Sequence, residues 1–389
     1  MASRKGESLS AKAKDSSAVY LLGGAKFSLS GCKVVKSGDS SSRDGSDFYG
    51  LNAALLSSGG SSLDVEDTEI ATAGEGANAV FSTGPGSSAT LRNLRISTIS
   101  DSSRGLDATM GGSISAEDVE ITTRGAHCAA VATDRGEGSV SVAGGILTTW
   151  GEGSPGIYST GNIEVSGARI VAHGSEAAVI EGRNSIVLKD CELEASKLRG
   201  VMLYQSFSGD AGVGTSSFRM EGGSLEAAEG PLFYVTNTNA VATVKGARLS
   251  AASGKLIVAA PGRWGQAGSN GGRLSFTAEG QELSGSVSAD GTSSVRLVLS
   301  KGSSLAGAVS NASLCIDADS TWTVAGESAL ALLDLGLAGR PADAEISLAL
   351  VRISSGGFKV SYDASLAGNS WLDGRSWDLP GGGRLVPSK

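Results

Sequence analysis

Apolar residues recur along this chain in a short motif, Φ-x-Φ-x-x-Φ-x-Φ, whose last member falls at Val34, Ile70, Ile96, Ile121, Leu147, Ile170, Leu193, Leu225 and Leu249. After the first interval the steps are 26, 25, 26, 23, 23, 32 and 24 residues. Self-similarity at such a period marks a solenoid or array in which each repeat contacts only its neighbours. The register holds in further columns. Five residues before each anchor stand Leu29, Val65, Leu91, Ala116, Val142, Val165, Leu188, Met220 and Val244, and seven before stand Phe27, Leu63, Ala89, Ile114, Val140, Ile163, Ile186, Phe218 and Ala242. One polar or small residue separates the two columns, the period-two signature of a strand with one buried face.

Two residues after the anchor come Thr72, Thr98, Thr123, Thr149, Ala172, Ala195, Ala227 and Ala251. They share the anchor's face, so they point into a narrow interior. A further strand follows in each coil, as in VFST from Val80, GIYS from Gly156 and PLFYV from Pro231. Each coil thus holds about three short strands, and parallel ladders ~4.8 Å apart join successive coils. The predicted fold is all-β: a single-stranded right-handed parallel β-helix with coils of about 23–26 residues and a C-terminal β cap. Neither the Leu/Asn signature of a leucine-rich repeat nor the four antiparallel strands of a propeller blade is present.

The boundaries follow from the same columns. Residues 1–17 read as a disordered tail, 18–326 as the β-helix, and 327–389 as last rungs and cap of the same domain. From Gly272 to Ala325 the rungs narrow, and ISLALVRI and FKVSY read as strands of the cap, followed by WLDG and GGGRL turns.

Composition agrees with this reading and limits function. The 57 glycines come with only 7 prolines, so they punctuate a repeat and do not mark a disordered linker. A net charge of −8 without a Lys/Arg-rich patch leaves no electrostatic footprint for nucleic acid. No run of 18 apolar residues predicts a transmembrane helix. The opening MASRKGESLSAKAKDSS lacks the apolar core of a secretory signal.

The runs GIYSTGNIEVSGARIVAHGSEAAVIEGRNSI, GVMLYQSFSGD, EGPLFYVTNT, GRWGQAGSNGG, DSTWTVAGES and SYDASLAGNSWLDG resemble uncharacterised bacterial secreted or surface adhesin-like right-handed β-helix proteins of the pectate-lyase-like fold superfamily. The likeness covers nearly the whole chain, from about Val19 onward. It implies the helix and an extracellular or cell-surface location, but no reaction and no catalytic residues, since fold is not function.

One corner of the coils carries candidate chemistry. Beginning at the turn residues Glu181, Arg183 and Asn184, the loop after the third strand lengthens into Tyr204–Ser217, Thr236–Asn239 and Pro261–Gly271. A ligand patch is expected there from Tyr204, Gln205, Asp210, Tyr234, Asn237, Asn239, Arg263, Trp264 and Asn270. Rings stack on apolar sugar faces while amides and charges meet hydroxyls and uronates, so polysaccharide or cell-surface glycan is the partner such a patch fits. The bland alternative is that the tyrosines are rung residues and Trp264 pins its own loop.

A polysaccharide lyase or glycoside hydrolase acting on an acidic polysaccharide is the rival reading. Hydrolysis needs two carboxylates at a set separation, and Asp134, Glu181, Asp190, Asp210 and Arg263 are the available groups, with no spacing that singles out a pair. No cofactor is expected. Calcium, which lyases of this fold commonly use, has no supporting motif. His127 and His173 form no metal pattern. Cys32 and Cys191 both sit two before the anchor and point inward, but lie six coils or ~29 Å apart, too far for a disulfide; Cys128 and Cys315 have no partner either. The threonine row suggests ice binding only until its inward direction is noted. The sequence therefore favours a non-catalytic display or adhesive module over an enzyme.

Overall fold

The computed structural model describes residues 2–388. These divide into two compact units, one of residues 2–202 and 206–217, the other of residues 203–205 and 218–388. Both are built from parallel β-helix coils.

In the first unit the anchor column runs in unbroken parallel register from Val34 through Ile70, Ile96, Ile121, Leu147 and Ile170 to Leu193. The column seven residues earlier runs from Phe27 to Ile186 in the same way. Leu55, Val80, Leu106, Val131, Ile157 and Ala178 form the third. Every anchor from Val34 to Leu193 is 1% exposed or less, so the core is a set of stacked like residues.

Between the first and second strands each coil turns through a left-handed residue three before the anchor, Gly31, Asp67, Asn93, Asp118, Gly144, Gly167 and Asp190, with φ between 49° and 72°. Gly, Asn and Asp are the residues that tolerate this conformation. The Asn93 amide also donates to Asp67 Oδ1 at 2.7 Å, tying one turn to the next.

The threonine row points inward as expected, and it has a task. Thr98, Thr123 and Thr149 donate their hydroxyl hydrogens to the carbonyls of Ser103, Cys128 and Ser154, five residues on, at 2.7, 2.5 and 2.6 Å. The coil's next corner is thereby closed from inside. Thr123→Val keeps the shape and removes the bond, leaving the buried Cys128 carbonyl without that donor, and should cost about 1–2 kcal/mol in urea-monitored unfolding. An unchanged midpoint would show that the hydroxyl contributes nothing to the corner.

Three sequence expectations need correction. Ala2–Lys5 and Ser8–Ala11 are strands, not a disordered tail, and pair in parallel with Lys26–Ser30 and Lys33–Lys36. Leu9 opposes Val34, so the repeat begins one coil earlier than its polar residues suggest, because backbone ladders do not require apolar side chains. Met1 lies outside the described residues.

The segment read as strand ISLALVRI is mostly a helix, which we call α2 (Asp343–Leu350). Glu345 reaches back to accept from the Ala342 N–H at 2.8 Å, and Ile346, Ala349 and Leu350 bury one helical face. Only Ile353–Ser354 is strand there, the last member of a four-stranded parallel sheet with Glu282–Ser284, Ser304–Ala306 and Thr321–Thr323. Similarly, the WLDG region forms a 3-10 helix, Ala367–Leu372, and the GGGRL turn leads into a strand, Arg384–Ser388.

A second helix, α1 (Arg43–Tyr49), was not anticipated. The Ser42 hydroxyl accepts from Gly45 N–H at its start, and Gly50 at φ 69° ends it. It occupies the excess in the long interval between Val34 and Ile70. No helix among the described residues is long and apolar enough to cross a membrane.

Candidate functional site

Each unit carries a cluster of chemistry-bearing side chains outside its coil interior. In the second unit this is the corner-loop group, where Trp264 packs tilted against Tyr204 with ring centroids 4.5 Å apart and the Arg263 guanidinium lies 4.2 Å from the Trp264 centroid. Asn270 is buried and donates to the carbonyls of Gly262 and Trp264 at 3.0 and 2.8 Å, closing the loop on itself. The Asn237 side chain donates to the Gln205 carbonyl at 2.7 Å, and Tyr234 donates to the Pro261 carbonyl at 3.2 Å.

Seven of the nine expected patch residues therefore meet, but largely through one another. Tyr204 and Gln205 are buried, and Trp264 has Tyr204 and the Arg263 guanidinium against its ring, so neither ring is an open platform for a sugar. What faces solvent is the Arg263 guanidinium, with Tyr234 and Trp264 half-exposed. Asn239 is exposed at the start of the strand Asn239–Lys245. Asp210 belongs to the first unit, where it accepts from Arg135 at 2.6 and 3.0 Å.

The first unit holds a more unusual arrangement, centred on Arg104. Its guanidinium donates to Asp47 Oδ1 at 2.8 Å and Asp134 Oδ2 at 3.0 Å, and its Nε lies 3.5 Å from Asp107 Oδ2. All four side chains are 10% exposed or less. Asp47 comes from α1, Asp107 from the outer face of the strand Leu106–Thr109, and Asp134 from the turn after Val131–Thr133.

On the outer face of the third sheet the row reads Phe81, Asp107, Ala132, Tyr158, Val179. Helix α1 is fixed over its beginning. Thr109 donates to the Phe48 carbonyl at 2.8 Å, Asn78 to the Ser46 carbonyl at 3.1 Å, and Phe81 packs with Ala53 and Leu56. Arg135, paired with Asp210, lies 3.7 Å from the Phe48 ring centroid.

Three carboxylates share one cation in a buried place, and this shifts Asp107 and Asp134. Burial pushes Asp107 well above the usual carboxylate range against the pull of Arg104. Burial likewise pushes Asp134 up to about 6, with Arg104 opposing. Burial opposes the charge on Arg104, yet the three aspartates raise its pKa well above the ordinary arginine value. Such a group can hold a proton near neutrality and lock α1 in place.

The other carboxylates proposed for catalysis are elsewhere. Glu181 is buried and accepts from the Tyr158 hydroxyl at 2.7 Å and from the backbone and hydroxyl of Ser206. Asn184 donates to the Glu181 carbonyl, and Arg183 pairs with Glu137 at 2.7 Å. Asp190 is one of the left-handed turn residues. The structure thus joins Asp134 to Asp47, Arg104 and Asp107, none of which the sequence brought forward. The one available signal was the 36-residue interval that announces α1, together with a charged residue at a strand position, Asp107, where neighbouring coils carry Phe81 and Ala132.

All four cysteines are buried and unpaired. His173 stacks on Trp150 at 3.9 Å, and no group of three or more His, Cys, Asp or Glu among the described residues is placed to hold a metal ion. A scan against protein-family models and a search of curated proteins each return no match to the chain.

Proposed function

We propose that this chain is a non-catalytic β-helix module of a secreted or surface-exposed protein, with an adhesive or structural task, and that it contacts glycan through Arg263, Asn239 and the open edges of Tyr234 and Trp264. The observation that carries the reading is the self-bonded corner loop. Asn270 and the tilted Tyr204–Trp264 contact hold it before any ligand arrives, so an exposed guanidinium is presented with little left to order. The adhesin-like sequence runs support the same task.

A polysaccharide lyase or glycoside hydrolase acting on an acidic polysaccharide is the second reading, favoured by Asp134 beside Asp107. Carboxylates with raised pKa values concentrate at functional sites.

A glycan array with and without calcium separates them, using wild type beside an Arg263→Ala, Asn239→Ala variant that spares the packed Trp264. Binding of acidic glycans that the variant loses, without cleavage products, is the expected result. Product formation abolished by Asp134→Asn would instead establish the enzyme. Wild-type and variant chains that bind alike, or no glycan binding, would exclude the corner loop as a glycan site.

A further inference from the structure

In the second unit a groove of about 940 Å3 opens between α2 and the strands Ser294–Ser300, Val309–Ile316 and Ser328–Asp334. Val298, Cys315 and Asp334 lie side by side in register along it, and Leu335, Leu337, Leu348 and Val351 give it an apolar lining. Leu348 and Val351 are 72% and 59% exposed, large apolar side chains left in water at the rim. Small-molecule sites have this size and make-up, apolar with a few placed polar groups.

The groove is built before any occupant arrives. Arg352 spans it, donating to the carbonyls of Ala349, Ile316 and Leu335 at 3.0, 2.8 and 2.7 Å, and so fixes the end of α2 against the strands. Burial pushes the Cys315 thiol up to about 11, so this part of the floor, beside Asp334, is an uncharged thiol.

Its charges point to the ligand. Glu345 accepts from the Ala342 N–H, Asp334 from the Gly336 N–H, and Asp317 from the N–H groups of Lys301 and Asp319. Arg352 is engaged by carbonyls. Arg296 sits in the ladder between Ser275 and Ser313, and its exposed guanidinium, alone among the lining charged side chains, has no hydrogen bond or ion pair to the described residues. We propose that this groove binds a single-chain anionic amphiphile of the fatty-acid class, its alkyl chain along Val298, Leu335, Leu348 and Val351 and its carboxylate on Arg296. The inference does not rest on the glycan reading, which concerns other residues.

The test uses the full chain and a dansylated undecanoic acid as fluorescent probe, with palmitate, hexadecanol and hexadecylamine as competitors below their aggregation concentrations. Saturable binding is expected, with palmitate displacing the probe best. Arg296→Glu should weaken palmitate by about tenfold or more while leaving hexadecanol unchanged, as loss of a charge-assisted contact requires. Leu348→Asp, at an exposed position that folding tolerates, should weaken both. Maleimide labelling mapped by mass spectrometry supplies the location: palmitate should slow the reaction of Cys315 and leave Cys32, Cys128 and Cys191 as they were. The proposal is overturned by absent binding, by a preference for the amine, by binding that does not protect Cys315, or by a dimer that Leu348→Asp dissociates, which would make a second copy the occupant.

Discussion

Arg104→Met should destabilise the protein by about 3–5 kcal/mol, the cost of leaving buried carboxylates without their cation. Asp47, Asp107 and Asp134 would then face one another in a site that water hardly reaches. The damage should be local before it is global. Because Asp47 holds α1 to the sheet, the helix should detach first, and trypsin should cut after the exposed Arg43 at denaturant concentrations where the coils remain folded. Urea unfolding followed by circular dichroism, beside timed proteolysis, measures both. A variant with all four positions apolar should recover most of the loss, since a buried ion cluster is costly to desolvate even when satisfied. If Arg104→Met alone unfolds at the wild-type midpoint, the cluster does not hold α1.

The second large effect is on pH. In the unfolded chain Asp134 titrates near its ordinary value of 3.8, while burial in the fold raises it to about 6. The folded state therefore binds this proton more tightly, and the stabilisation is complete below the unfolded value and lost as pH rises through about 6. The gap corresponds to about 3 kcal/mol. Asp107, raised well above the carboxylate range, acts in the same direction at higher pH. Asp134→Asn removes the titration, so its stability should match wild type near pH 4 and exceed it by about 2–3 kcal/mol at pH 7.5. A difference constant across that range would mean that Asp134 titrates as an exposed carboxyl does. Arg104, Asp47 and Asp107 within the cluster and Asp210 beside it are the charged groups that act on Asp134, and the Arg135 backbone N–H donates to its Oδ1 at 2.9 Å.

The two clusters were legible to different degrees, for a physical reason. The corner-loop residues could be gathered from sequence because the repeat register says which loops leave the same corner. What could not be read was the direction of each side chain within a loop. Asn237 and Asn270 are typical ligand-contact residues by type, and in the fold they satisfy loop carbonyls instead. Backbone groups in a non-repetitive loop have no ladder partner, and nearby amides supply one. For Asp210 the register was insufficient, because its partner Arg135 is 75 residues earlier in the chain.

What the sequence determines by itself is whatever repeats. Each coil meets only its neighbours, so the same column of Val, Ile and Leu, the same inward Thr or Ala, and the same left-handed Gly, Asn or Asp must return at each period, and a one-dimensional pattern records a one-dimensional stack. The turn column was in plain sight three residues before every anchor. Insertions obey no such rule. Helix α1 is announced by a long interval, but its docking depends on Arg104, 57 residues beyond Asp47, reaching across the sheet, and the groove beside α2 depends on Arg352 finding carbonyls 17 and 36 residues before it. Those partners are chosen by which coil face an excursion folds back upon. That choice is made by burial and charge in three dimensions, and no periodic position in the chain encodes it.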